Sequence, residues 1–158
     1  MTHRVRAAAI IVRGDELLLV HHIDPTSEES YWVPPGGGLE AEDASVIHCA
    51  IRETFEESGL RVIVSKVAYV AEFQESPSAT LHLEIFFLAD SYEGEITLTH
   101  LPEDQPDFDI IQETRWVHRD ELDSLTVYPE ELKSDFWDHL AEGFPTTIYL
   151  GRRGTEPT

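Results

Sequence analysis

Residues 36–60 read GGGLEAEDASVIHCAIRETFEESGL, a run of glycines followed by the strongest helical pattern in the chain. The pattern predicts an α-helix over residues 44–58, with Asp43 as its N-cap and Gly59 as the residue that ends it. The prolines and glycines before the helix predict a tight turn, because glycine lets backbone groups approach a ligand closely. The segment therefore predicts a glycine turn that leads directly into a helix.

One face of this predicted helix is acidic and the opposite face is apolar. At about 100° per residue, Glu53, Glu56 and Glu57 project together. The apolar face comprises Ile47, Ile51 and Phe55. Carboxylates crowded within one turn raise one another's pKa, and a hard divalent cation such as Mg²⁺ would remove that cost. An ordinary solvated face is the competing interpretation, because acidic helices are common on acidic proteins.

The rest of the chain predicts mainly strands around this segment. Residues 5–12 and 17–22 predict a hairpin. Further strands are predicted at residues 31–33, 60–73, 80–89, 114–117 and 147–150, and a second amphipathic helix at residues 130–142. Residues 101–109 form an acidic loop with prolines and no periodicity, and loops of this kind often carry function.

The charge of the chain is strongly negative. Its 158 residues include 31 acidic and 11 basic side chains, which gives a formal net charge of -20. The lysines are Lys66 and Lys133. Binding to a nucleic-acid backbone requires lysine and arginine to displace counterions, so we expect no nucleic-acid binding.

The length and the cysteine content predict a single domain in a reducing compartment. Residues 1–151 are predicted as one domain and residues 152–158 as a polar tail. In that tail Arg152 and Arg153 are expected to be exposed to solvent, although they could contact a phosphate or a partner subunit, and a homodimer stays open. Cys49 is the one cysteine, so no intrachain disulfide can form, and a cytoplasmic setting is expected. The apolar run near the N-terminus is too short for a membrane span.

The segment from Gly37 to Leu60 resembles the Nudix box, whose pattern is G-x5-E-x7-R-E-U-x-E-E-x-G-U, with U an aliphatic residue. The second half matches as RETFEESGL, residues 52–60, with Thr54 in an aliphatic position. In the first half, counting from Gly37 places the acidic position on Asp43 with one additional residue before Arg52. Counting back from Arg52 instead places it on Ala44. The first alignment is preferred because it retains an acid there.

The resemblance implies a Nudix hydrolase with an α/β/α sandwich, a mixed and largely antiparallel sheet, and a catalytic loop-helix-loop. It implies cleavage of a small nucleoside-diphosphate derivative by attack of water on phosphorus. Glu56 and Glu57 would ligate Mg²⁺ or Mn²⁺, with Glu53 as a further ligand or as the base that activates water. Arg52 would pair with one of these glutamates and hold its rotamer.

The resemblance also implies backbone contacts and further acids. The carbonyl of Gly37 or Gly38 is an additional candidate ligand, and Gly36 and Gly38 are candidates for substrate binding. Asp43 is a candidate site acid. The acidic loop offers candidates for one more ligand or base, namely Glu103, Asp104, Asp107 and Asp109.

Two other functions stay open at this point. A nucleotide sensor with the same fold would bind without cleaving, and the intact set of Glu53, Glu56 and Glu57 favours catalysis over it. An acidic interaction protein would leave the glycine turn and the Arg52-Glu53 pair unexplained. A thermal shift on adding Mg²⁺ and a nucleotide would separate the interaction protein from the other two.

Overall fold

The computed structural model describes residues 2–77 and 79–154. It contains nine strands and three α-helices in that part of the chain. The strands are β1 (His3–Ile10), β2 (Val12–Arg13), β3 (Glu16–Ile23), β4 (Ser30–Val33), β5 (Gly36–Gly38), β6 (Arg61–Gln74), β7 (Leu81–Glu93), β8 (Ile111–His118) and β9 (Ile148–Gly154). The α-helices are α1 (Val46–Ser58), α2 (Asp107–Ile110) and α3 (Asp135–Ala141).

The larger sheet has five strands in the order β5-β1-β7-β6-β9. β1 runs parallel to β7, β9 runs parallel to β6, and the remaining pairs are antiparallel, so the sheet is mixed. Side chains alternate between its two faces because successive residues of a strand point to opposite sides. In β1, Ala7 packs against the side that carries α1, whereas Ala8 and Ile10 pack into the opposite core.

The smaller sheet is built around β3. β8 pairs along one edge of β3, while β2 and β4 pair with successive parts of the other edge, all antiparallel. The hairpin predicted from residues 5–12 and 17–22 is therefore only partly right. The turn exists, but β1 ends at Ile10 and joins the other sheet, and β3 pairs with the short strand β2 instead.

Helices cover both faces of the larger sheet, which confirms the predicted α/β/α sandwich. On one face, Cys49 and Ala50 of α1 pack against Ala7 and Phe87. On the other face, Phe136 of α3 joins the main core, which also receives side chains from the smaller sheet. Among residues 2–77 and 79–154, no helix has the length and apolar character that crossing a membrane requires.

The ends of α1 explain its position in the chain. Ser45, and not the predicted Asp43, is the N-cap, since its hydroxyl oxygen accepts a hydrogen bond from the His48 amide at 3.3 Å. Gly59 ends the helix as predicted, with φ of 78°, and its amide donates to the carbonyl of Phe55. Glycine tolerates this left-handed conformation without the steric cost of a Cβ atom.

Three other sequence predictions need correction. The predicted glycine turn is strand β5, because Gly36, Gly37 and Gly38 pair with β1. The predicted helix over residues 130–142 is a 3₁₀ turn, Glu130–Lys133, followed by α3. The predicted tail begins inside β9, which pairs with β6 up to Gly154. Residues 155–158 of the predicted tail lie outside the described part of the chain.

Candidate active site

The site forms where α1 lies against β5. Glu53 and Glu57 occupy successive turns of the face that points at this strand, and both are buried. The amide of Gly36 donates a hydrogen bond to Glu57 Oε1 at 3.0 Å. A Cβ atom on Gly37 would lie 2.5 Å from the Glu53 carboxyl carbon. Helix and strand can approach this closely because β5 has no side chains there.

A third carboxylate reaches the pair from the acidic loop. Carboxylate oxygens of Glu53, Glu57 and Asp107 all lie within 4.8 Å of one another. Asp107 begins α2, and the loop before it is anchored by Leu101, which packs with Val20 and Ile111 of the smaller sheet. The other three candidates of this loop are exposed and lie outside the group, namely Glu103, Asp104 and Asp109.

Burial makes the carboxylates of α1 difficult to ionise in the absence of a cation. Burial is the main cause that raises the pKa of Glu53 to about 7, and the Arg52 guanidinium opposes this shift. The pKa of Glu57 is raised well above its usual value, first by burial and then by the nearby charge of Glu53. Burial also raises the pKa of Glu56. A bound cation would favour the ionised forms, because it offsets both the burial of these carboxylates and the repulsion between them.

The carboxylates fit a hard divalent cation. Glu57 Oε2 is buried and has no hydrogen-bond partner among the described residues. A buried carboxylate oxygen without a partner is costly, so its position calls for a ligand that supplies positive charge. Oxygen ligands from carboxylates are the type that Mg²⁺ and Mn²⁺ prefer. Glu53, Glu57 and Asp107 together offer three such groups.

Arg52 links the acids around the site. Its guanidinium donates to both carboxylate oxygens of Asp43 at 2.8 Å, and it also contacts Glu53 at 3.0 Å and Glu56 at 3.3 Å. This bidentate pair lowers the pKa of Asp43 to about 2, while Asp43 is the main cause of the raised pKa of Arg52. Asp43 lies outside the three-carboxylate group, and its charge is directed at Arg52.

Glu56 and two glycine carbonyls also contact groups of α1. Glu56 lies outside the three-carboxylate group and pairs with Arg52 at i,i+4 spacing, as the sequence predicts. The carbonyl of Gly37 accepts a weak hydrogen bond from the Cys49 thiol at 3.6 Å, and that of Gly38 accepts one from Arg52 at 3.3 Å. The glycine backbone thus holds side chains of α1 in position.

A cavity of about 790 Å³ opens beside the carboxylates. Gly36 and Gly37 form part of its wall, and strands of both sheets and the segment around Tyr128 form the remainder. Gly38 is not part of this wall. Several charged residues of the cavity wall were not predicted from the sequence, and Arg6 and Glu84 are two of them. A signal existed, since Arg6 directly precedes the apolar residues 7–10 and Glu84 lies between Leu83 and Ile85.

Comparisons with known proteins agree with the fold. A family model described as the NUDIX domain matches residues 2–137. A NUDIX hydrolase from Nitrosomonas europaea superposes with a TM-score of 0.70 and 22% identity, covering 89% of this chain and 90% of that chain. A mutator MutT protein from Bacillus halodurans gives a TM-score of 0.67 and 21% identity, covering 96% of this chain and 90% of that chain.

A third solved structure is an ADP-ribose pyrophosphatase from Streptococcus suis. It gives a TM-score of 0.54 and 20% identity, covering 94% of this chain and 97% of that chain. These structural likenesses show a shared fold. The matched domain defines a class of hydrolases that act on phosphoric anhydride bonds. The chain belongs to the NUDIX family, because the family model spans most of its length.

Proposed function

We propose that the protein is a pyrophosphohydrolase that depends on Mg²⁺ or Mn²⁺ and cleaves a small nucleoside-diphosphate derivative. The observation that carries the proposal is the unpartnered, buried Oε2 of Glu57 beside the carboxylates of Glu53 and Asp107. Glu53, Glu57 and Asp107 would hold the cation. Glu56 and the carbonyl of Gly37 remain candidate ligands.

Different residues would activate the water and position the carboxylates. A bound divalent cation neutralises phosphate oxygens and lowers the pKa of a bound water. Glu53 is the first candidate for the base that accepts the proton of the attacking water, and Asp107 is the second. Arg52 is a positioning residue, since it holds the carboxylates of Glu53 and Glu56 while Asp43 holds its guanidinium.

The cavity beside the carboxylates is the proposed binding site for the substrate. The cavity of about 790 Å³ has the volume of sites that bind small molecules. Substrate contacts by the backbone of Gly36 and Gly38 stay predictions, as do a homodimer and a cytoplasmic setting. The net charge of -20 continues to argue against nucleic-acid binding.

The proposal is tested by measuring product release from a panel of nucleoside-diphosphate derivatives with Mg²⁺ and with Mn²⁺. We expect Glu57→Gln and Glu56→Gln to abolish metal-dependent turnover with the fold retained. Glu42→Gln, which makes the same charge change at an exposed position outside the site, should keep wild-type activity. Full activity in both Glu57→Gln and Glu56→Gln would refute the assignment. Nucleotide binding without turnover in the wild-type protein would instead indicate a sensor.

A further inference from the structure

The cavity beside the carboxylates contains groups that the hydrolysis itself does not use. Gly36 and Gly37 border both the carboxylates and the cavity. If the diphosphate of the substrate lies at the carboxylates, as the proposed function requires, the cavity receives the part of the substrate attached to it. The chemistry of the cavity wall then selects among substrates.

Aromatic rings form one part of the wall. Tyr31 and Tyr128 both line the cavity, and their ring centroids lie 5.9 Å apart at an angle of 57°. Tyr31 also stacks on His22 at 5.1 Å, which fixes the orientation of its ring. The Tyr128 side chain is 44% exposed, so part of its ring is available to a ligand. Aromatic rings offer a stacking surface to any nucleobase, but they do not distinguish one base from another.

Arg6 and Glu84 supply charges on the same wall. They face each other across neighbouring parallel strands, since Arg6 of β1 is in register with Glu84 of β7. Arg6 Nε lies 3.8 Å from Glu84 Oε2, which is longer than a hydrogen bond. Within the described part of the chain, neither the Arg6 guanidinium nor the Glu84 carboxylate makes a hydrogen bond. The pair therefore retains free donors on Arg6 and free acceptors on Glu84.

Arg6 is also electrostatically coupled to the candidate metal site. Its positive charge lowers the pKa of Glu57 as well as that of Glu84, while burial raises both. Arg6 also lines the cavity together with Gly36, whose amide donates to Glu57. A nucleotide whose phosphates lie at the carboxylates can therefore place its base in the cavity that Arg6 and Glu84 line.

We propose that Arg6 and Glu84 form a base-reading pair that selects a guanine-type base. An ionised carboxylate only accepts hydrogen bonds, and it can accept two parallel bonds from adjacent N–H groups. Guanine presents such a pair at N1–H and the 2-amino group, with the O6 acceptor next to them for Arg6. Adenine and cytosine place an acceptor beside their amino group, and uracil flanks its N–H with two carbonyl oxygens.

The competing interpretation is that Arg6 and Glu84 form an ion pair that only supports the sheet. Such a pair would change stability when mutated, but it would affect all nucleotides equally. A base-reading pair instead changes the ratio between guanine and other bases. The discriminating measurement is therefore a ratio of affinities within one variant.

The first experiment measures binding of GMP, IMP and AMP to the wild-type protein in the presence of Mg²⁺ by calorimetry. These ligands have no anhydride bond, so their binding can be measured whether or not the chain hydrolyses nucleotides. IMP lacks the 2-amino group but keeps N1–H and O6. We expect IMP to bind about 10-fold more weakly than GMP, and AMP more weakly still, because each lost hydrogen bond leaves a charged group unpaired.

The second experiment compares Glu84→Gln with Glu93→Gln, an equal change at an exposed position of the same strand outside the cavity. We expect Glu84→Gln to weaken the binding of GMP about 10- to 100-fold and to change the affinity for AMP by no more than about twofold. The reason is that the amide places an N–H group opposite one N–H donor of guanine. Glu93→Gln should behave like the wild-type protein. If Glu84→Gln does not fold, the comparison of GMP, IMP and AMP in the wild-type protein decides the question.

The outcomes separate this inference from the proposed function. Equal affinity of the wild-type protein for GMP and AMP would overturn the inference, as would equal losses for both ligands in Glu84→Gln. A preference for GMP together with no hydrolysis of any nucleotide in the panel would support the base-reading pair and refute the proposed hydrolysis. Hydrolysis of all nucleotides at equal rates would support the proposed hydrolysis and refute the base-reading pair.

Discussion

At the scale of single residues, Arg52 contacts three carboxylates around the site, whereas the motif by itself implies that it pairs with one glutamate. Its planar guanidinium makes a bidentate contact to Asp43 and also reaches Glu53 and Glu56. Side chains that orient metal ligands in this way tune both affinity and activity. Although the sequence has one additional residue between Asp43 and Arg52, Asp43 still lies where it can hold this arginine.

We expect Arg52→Lys to lower kcat about 10- to 100-fold with little effect on the fold, because a lysine ammonium is a point charge that cannot make these contacts at once. Steady-state kinetics at saturating Mg²⁺ and substrate provide the measurement. Arg13→Lys is the control, since Arg13 pairs with Glu16 on an exposed hairpin. Unchanged kcat in Arg52→Lys would contradict a positioning role.

At the scale of secondary-structure elements, the site depends on the close approach of α1 and β5. Gly37 faces the Glu53 carboxylate, and Gly36 pairs with Ala8, whose Cβ atom would lie 2.5 Å from an added side chain. β8 also fixes α1, because the Thr114 hydroxyl donates to the carbonyl of Glu57 at 2.6 Å. The helix is thereby attached to both sheets at the level of its acids.

We expect Gly37→Ala to abolish the stabilisation by Mg²⁺, because the new Cβ atom would occupy the position of the Glu53 carboxylate. At 100 times its Kd, a bound ligand contributes about 2.7 kcal/mol to stability, so the wild-type shift is measurable by thermal melting. Leu39→Ala, which alters an exposed residue just after β5, should retain the full shift. A normal Mg²⁺ shift in Gly37→Ala would show that the approach of strand and helix is not required.

At the scale of the whole molecule, the buried acids connect folding stability to pH and to metal. The pKa of Glu53 rises from an ordinary value of 4.5 to about 7 on folding. Between these pH values the folded protein keeps a proton that the unfolded chain releases. Stability in the absence of metal therefore falls as pH rises from about 4.5 to about 7, and this contribution is level above that range.

We expect the metal-free protein to lose up to about 3 kcal/mol of stability from Glu53 across this range, because 1.36 kcal/mol corresponds to one unit of pKa. Mg²⁺ binds the ionised carboxylates, so its stabilising effect should be larger at pH 8 than at pH 5.5. Urea unfolding in EDTA and in Mg²⁺ at both pH values measures this.

Glu53→Gln is the control for this linkage. It should be more stable than the wild-type protein at pH 8 in EDTA, since it removes a buried charge, and it should respond less to Mg²⁺. An equal effect of Mg²⁺ at both pH values in the wild-type protein would count against a link between these carboxylates and the cation.

The sequence by itself determined α1, its acidic face and the family to which the chain belongs. These features depend on residues that are neighbours along the chain. Helical periodicity places Glu53 and Glu57 one turn apart, and Gly59 ends the helix wherever the rest of the chain lies. The resemblance carried by this segment also implied the α/β/α sandwich correctly, because the motif is a run of neighbouring residues.

Only the tertiary structure decided which distant groups meet the helix. The sequence offered four equivalent acids in one loop, and the packing of Leu101 with the smaller sheet brings Asp107 to the site. The glycine segment forms a strand because it pairs with the edge of β1. Arg6 lies beside Glu84 because of the register between β1 and β7, which are far apart in sequence. Such contacts depend on long-range packing, which local propensity does not encode.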